Sequence, residues 1–397
     1  MATSGELRAA QNAIASAISQ HASYQYRASS AIVNQVNSRI DELAIELAKE
    51  LLHRLDGIGR AELESFLVGR YNTTRLKGIK EQIDNYGQGL SAALNSNWSS
   101  SAAALAGYEA TYIYELFDRV FEDIKKPKIA DNTVYKKAMD RPLSGSAPFG
   151  GRLVDTLLSE FSKPKQDAIY ASIRAGVVAG NTNSEIVKAI RGTAKLNYQD
   201  GLIYQAKIDA ERLIRTARNH ISNQAYNQMY DEIGVDYVVF LATLDGRTSK
   251  ICASLDGKSW LKSDPHPVPP LHPYCRSQLI PSLDGKVIGT RPFVRALKVR
   301  GRDGERSFRS IGNMTKKQRE KAGLEIGQVD AKTNYSKWFA NQDAEFKREW
   351  LGPTRYKLYT EGKYPLSKFA DPLTGRQYSI DELRMRDADT FRQIFGE

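Results

Sequence analysis

Five prolines within nine residues, Pro265, Pro267, Pro269, Pro270 and Pro273, constrain this chain more than any other feature of its sequence. Each proline fixes φ near about −65° and withholds a backbone donor, so the span is a stiff, extended arm that cannot enter a helix or a central strand. Before it, Val235–Thr243 is β-branched, aromatic and apolar almost without interruption, the pattern of a strand buried on both faces or nearly so. Asp245-Gly246 and Asp256-Gly257 are turn dipeptides, with a short structured segment between them. Lys258-Ser259-Trp260 reads as a brief second strand and Ser277–Pro281 as a third. The expected product is a small helix-plus-sheet unit with a proline arm laid across it.

Both cysteines of the chain, Cys252 and Cys275, fall in this stretch, together with His266 and His272. Cys252, His272 and Cys275 form C-x19-H-x2-C, and the H-x2-C half resembles half of a zinc site. A tetrahedral site needs a fourth ligand, for which His266 and Asp245 are the candidates. The competing readings are a Cys252–Cys275 disulfide and two buried thiols. Asp245, Arg247, Asp256 and Arg276 suit Asp–Arg pairs that lock turns better than acid–base chemistry. The chain has no G-x-x-x-x-G-K-[ST], H-E-x-x-H or G-x-S-x-G, and no Gly-rich phosphate fingerprint after a strand. It offers no case for an enzyme, and no cofactor other than zinc.

Helical periodicity dominates elsewhere. Ile32, Val36, Ile40, Leu43, Leu47 and Leu51 mark one long amphipathic helix that stops near Asp56-Gly57. Tyr71–Tyr86 and Tyr108–Ile124 predict two more, separated by a Ser- and Ala-rich span with a weaker helical signal. Tyr112, Leu116, Phe117 and Phe121 suit core or helix-partner contacts. After a loop-rich stretch, Asn181 or Thr182 is placed to cap a short helix with Glu185 in its first turn. Ala206, Ala210, Leu213, Ile214, Ala217, Ile221, Ala225 and Met229 form a sustained stripe closed by Gly234. His220 lies off that stripe and is expected to be a partly exposed polar residue. Aromatic residues from Tyr335 to Tyr359 suffice for a small core, and Arg376–Ile380 reads as a strand running into a capped helix. The fold class is predominantly helical α+β. Its divisions are a helical region at 1–127, a linker at 128–152, a central unit at 153–285, a basic linker at 286–332 and a small region at 333–397.

The formal net charge is +11, and between Lys286 and Lys321 twelve basic residues stand against three acidic ones. Most of the surplus therefore sits in one segment able to neutralise phosphates. Arg295, Lys298, Arg300, Arg302, Arg306, Arg309, Lys316 and Lys317 are the candidate contacts to nucleic acid; a solvated face or a loop bound to an acidic neighbour is the alternative. No run approaches the roughly 18 apolar residues of a membrane helix. An early Glu6 and the lack of an apolar h-region argue against a signal peptide. Two cysteines fit manufacture in the cytosol better than a secreted disulfide scaffold.

L-I-R-T-A-R-N-H at 213–220, followed by L-D-G-R-T-S-K-I-C, L-D-G-K-S-W and P-P-L-H-P-Y-C-R-S, resembles the phage Mu F-like domain of minor head, or head morphogenesis, proteins of tailed bacteriophages. The likeness covers about 155–285, and the C-terminal Y-S-K-W-F-A-N-Q, L-G-P-T-R and Y-S-I-D-E-L resemble the tail that often follows it. Two positions depart from the family's pattern: Ala217 where Glu is frequent, and Ser277 where a further Cys is frequent, which removes one potential metal ligand. The resemblance implies a low-copy virion component, made in the host cytoplasm, that joins the phage head near the portal vertex during assembly and can leave with the DNA. Its implied partners are portal, coat or scaffold proteins and packaged double-stranded DNA, with no membrane. A free nucleic-acid-binding protein and a toxin or enzyme carrying a Mu F-like domain are the alternatives.

Overall fold

The computed structural model describes residues 4–120, 130–144, 149–296, 298–300, 306–308, 314–321, 323–371 and 376–396. Helix dominates, as the periodicity predicts. The first helix runs Ser4–Leu55, with Val36, Ile40, Leu43, Leu47 and Leu51 buried at three- to four-residue steps. The second long helix corrects an expectation: Thr74–Val120 is one continuous element, and the Ser/Ala-rich span lies inside it. Leu94, Trp98, Ala102 and Leu105 carry the helix through that span with a buried stripe at helical spacing. Ser96, Ser99, Ser100 and Ser101 satisfy their hydroxyls on the carbonyls of Ala92, Asn95, Ser96 and Asn97. Leu116 and Phe117 are buried as expected, whereas Phe121 lies outside the described residues.

The chain forms two compact units, each assembled from segments distant in sequence. One comprises Ala28–Ala104 and Arg152–Ala217. Within it, helices Ser162–Val178 and Asn183–Arg191 meet at Gly176, where a Cβ would lie 2.5 Å from the Ile186 side chain. Thr182 caps the second of these helices. Its hydroxyl accepts from the Glu185 N–H, while the Glu185 carboxylate accepts from the Thr182 N–H at 2.7 Å. This is the reciprocal arrangement that a Thr followed three residues later by Glu favours.

The other unit comprises Met1–Arg27, Leu105–Gly151 and Arg218–Glu397. Its strands are β1 (Tyr237–Leu241), β2 (Leu244–Asp245), β3 (Ser259–Leu261), β4 (Gln278–Ser282), β5 (Thr290–Arg295), β6 (Lys298–Arg300), β7 (Arg306–Phe308) and β8 (Glu325–Asp330). β1 is the middle strand of an antiparallel sheet ordered β3-β1-β4, with Val238 opposite Trp260 and Val239 opposite Ile280. That position explains its uninterrupted apolar run. β5 pairs parallel with β2 and antiparallel with β8, and β6 and β7 form a separate two-stranded ribbon. The basic stretch expected to be a linker thus carries strands β5 to β8 and the helix Lys316–Lys321.

Helix Leu202–Glu232 leads into this sheet, and Gly234 (φ +68°) makes the left-handed turn between them at no steric cost. Residues 220–230 of that helix are all buried. It is fixed to β4 by the Tyr230 hydroxyl donating to the Leu279 carbonyl (3.0 Å) and by Gln278 Nε2 donating to Asn219 Oδ1 (2.8 Å). The tail forms an aromatic core of Tyr335, Trp338, Phe339, Phe346 and Trp350, joined by Leu244 and Ala253 from the central stretch. Near the end, the strand expected at 376–380 reduces to one bridge, Ala370 to Gln377, because the chain turns at once into helix Ile380–Arg386, capped at Ser379.

Candidate metal centre and its scaffold

Two Asp-Gly turns build the scaffold. At the first, Arg276 forms a bidentate pair with Asp245, Nη2 donating to Oδ1 at 2.8 Å and Nη1 to Oδ2. Asp245 Oδ1 also accepts from the Arg247 N–H (3.0 Å) and the Thr248 hydroxyl (3.2 Å), closing the turn. Burial opposes ionisation of Asp245, but the Arg276 guanidinium outweighs it and holds the carboxyl below the usual range. At the second turn, the fully buried Asp256 carboxylate accepts from Arg291 Nη1 (2.8 Å) and from the Ala242 and Tyr335 N–H groups (2.7 and 2.6 Å). Tyr335 donates its hydroxyl to the Asp245 carbonyl, and Trp350 Nε1 donates to the Thr248 carbonyl, each at 2.9 Å. The C-terminal aromatic residues therefore hold both turns. Of the charged residues singled out in this stretch, Asp245 and Arg276 pair with each other and Asp256 pairs with Arg291.

Between the turns, the segment read as a short structured piece is a helix, Lys250–Leu255. Its N-cap Ser249 accepts from the Cys252 N–H at 3.2 Å and so fixes the first ligand candidate. The proline arm brings back the other two. Tyr274 adopts φ +60° between His272 and Cys275, and the Cys275 N–H donates to the His272 carbonyl at 3.1 Å. Cys252 Sγ lies 3.1 Å from His272 Nε2 and 3.7 Å from Cys275 Sγ, and all three ligand atoms fall within 4.8 Å of one another. The thiols are buried and the imidazole half-buried. Burial pushes the Cys252 thiol well above its ordinary range. It opposes ionisation of Cys275 too, but hydrogen bonding from Cys252 and the adjacent His272 hold that thiol well below the ordinary range.

The proposed fourth ligands do not join this cluster. Asp245 is held by Arg276, and His266 Nδ1 faces the Asp264 carbonyl at 2.7 Å while its ring stacks with Trp260. His220 is corrected outright: it is 2% exposed, its Nε2–H donates to the Ala138 carbonyl at 2.9 Å, and burial lowers its pKa. It was misread because the apolar stripe marks one face, whereas this part of the helix is buried all round.

The described candidate phosphate contacts lie on β5, β6, β7 and the helix Lys316–Lys321. Arg295 donates to the Gly323 carbonyl (3.0 Å) and to Asp343, and is only partly exposed. Lys298 and Arg300 lie on β6 and Arg306 on β7, with Arg300 and Arg306 register partners. Lys316 and Lys317 are exposed on their short helix, and Arg302 and Arg309 lie outside the described residues. Arg291, counted in the same basic cluster, is 1% exposed and serves Asp256.

A long helix docked on a small antiparallel sheet, with the charged turns paired internally, makes up this part of the chain. Residues 167–280 match the family model described as phage Mu protein F like protein, so the chain carries a phage Mu F-like domain. No curated protein and no solved structure matches the chain. Among the described residues, no helix is long and apolar enough to cross a membrane.

Proposed function

We propose that this chain is a minor head protein of a tailed phage, a non-catalytic component that acts in head morphogenesis at or near the portal vertex. The match over 167–280 carries the reading. The commitment of Asp245, Arg276, Asp256 and Arg291 to mutual pairs supports it, since these residues are spent on rigidity. The partners in this reading are portal and coat or scaffold proteins, and the protein resides in the virion at low copy. Quantitative mass spectrometry of purified virions and empty procapsids tests it. The expected result is a few copies per particle in at least one of the two; absence from both sinks the proposal.

A second reading, contact with packaged DNA and departure with it on ejection, draws on the β6–β7 ribbon. Its paired strands place Arg300 and Arg306 in register, with Lys298 two positions earlier on β6. This role is compatible with the first and is separable from it by measurements on the purified chain.

A further inference from the structure

We propose that Cys252, His272 and Cys275 bind one zinc ion, with water in its fourth position, and that the ion ties the proline arm to the Lys250–Leu255 helix. Two sulfurs about 2.3 Å from a tetrahedral zinc stand about 3.8 Å apart, and a sulfur and an imidazole nitrogen about 3.6 Å. The two sulfurs here are 3.7 Å apart, so the site is spaced for the ion on that edge. The Cys252 Sγ to His272 Nε2 distance is 3.1 Å and opens by about half an ångström on binding.

The imidazole is already set for ligation. His272 Nδ1 lies 2.8 Å from the Pro273 carbonyl, which only accepts, so Nδ1 carries the proton. In the neutral ring this leaves Nε2 as a bare lone pair facing Cys252 Sγ, the outer-shell arrangement that orients metal-bound histidines. Binding releases to solvent whatever protons the cluster still holds, leaving both sulfurs as thiolates and His272 Nε2 unprotonated, with no change of oxidation state. The third contribution comes from Ser277, buried just before β4 with its hydroxyl hydrogen-bonded to Cys252, so that Ser277→Cys would place a fourth ligand at the same ion.

The test uses the full chain without an affinity tag, reduced with a phosphine and titrated with Zn²⁺ or Co²⁺ alone. One equivalent of zinc should survive gel filtration and raise the melting midpoint. Cobalt should give near-ultraviolet thiolate charge transfer and the intense visible bands of a tetrahedral site. Cys275→Ser should abolish the charge-transfer band or reduce it by at least half, with circular dichroism reporting whether the variant folds. Ser277→Cys should tighten zinc at least tenfold in competition with a chromophoric chelator. The wild-type titration decides even if a variant misfolds: no cobalt–thiolate band with the thiols reduced overturns the proposal. So does metal uptake undiminished in the Cys252→Ser/Cys275→Ser variant. A Cys252–Cys275 disulfide in chain alkylated directly on cell lysis, seen as loss of two hydrogens, also overturns it.

Discussion

Asp256 and Arg291 form the most deeply buried ion pair among the described residues, with side chains 0% and 1% exposed. The carboxylate joins Arg291 to the end of β1, through Ala242, and to the first aromatic residue of the tail, Tyr335. Removing one partner strands the other as a buried charge, which costs about 3–5 kcal/mol. Asp256→Asn and Arg291→Met should each lower urea stability by that amount, followed by tryptophan fluorescence. The double variant should lose less than the two single losses combined, by more than about 1 kcal/mol, because the residues share one interaction. Additive losses would show that the pair is not coupled. The sequence disclosed half of this arrangement. Asp256 is legible as a turn residue before Gly257, but Arg291 lies 35 positions away among cations that invite a phosphate reading. Charge counting cannot separate a buried guanidinium from a solvated one. Likewise, His272 and Cys275 are legible at ligand spacing, but only the Tyr274 backbone turn and the Ser249 cap show that they converge on Cys252.

Helices were read most faithfully where side chains announce their ends. Thr182 meets Glu185 reciprocally, and the alternative cap, Asn181, is exposed and outside that arrangement. Thr182→Ala should therefore destabilise by about 1 kcal/mol, whereas Asn181→Ala should stay within about 0.5 kcal/mol. Equal effects in thermal melts would place the helix start elsewhere. Helix interiors were harder to read. The serines at 96–101 have modest helix propensity, so the sequence gives a weaker helical signal where the buried Trp98 and Ala102 sustain the helix. Residues 220–230 present the opposite case: Ser222, Asn223, Gln224, Asn227 and Gln228 mark a polar face, yet all are buried. Periodicity detects an apolar stripe against a polar face and has no signal for a helix enclosed on every side. The strands β1, β3 and β4 were legible because turn dipeptides and prolines bound them. β2, with two residues, and β5 are defined by partners distant in sequence.

For the molecule as a whole, the two compact units are interleaved along the chain, 28–104 with 152–217 and the remainder with each other. A linear reading divides a chain at loops and composition changes, and cannot detect units that share helices as long as Ser4–Leu55 and Thr74–Val120. The charge pattern is a property of the whole chain too, and the structure commits part of it to internal pairs. Arg291 and Arg295 are committed to Asp256 and Asp343, so their replacement should weaken the fold and not the salt dependence of DNA binding. The segment containing Arg300, Arg302, Arg306 and Arg309 is where contact with phosphates is expected. If the chain works beside packaged DNA, the purified protein should bind duplex DNA without sequence preference, and affinity should fall steeply as salt rises. Each phosphate contact contributes a slope of roughly −0.9 in log K against log salt. Replacing those four arginines with alanine should flatten the slope by up to about 3.6 if every one contacts a phosphate, while circular dichroism stays unchanged. Fluorescence anisotropy across a salt series measures it. Slopes that coincide for wild type and variant would remove this segment from any DNA-facing role and leave head assembly through protein contacts alone.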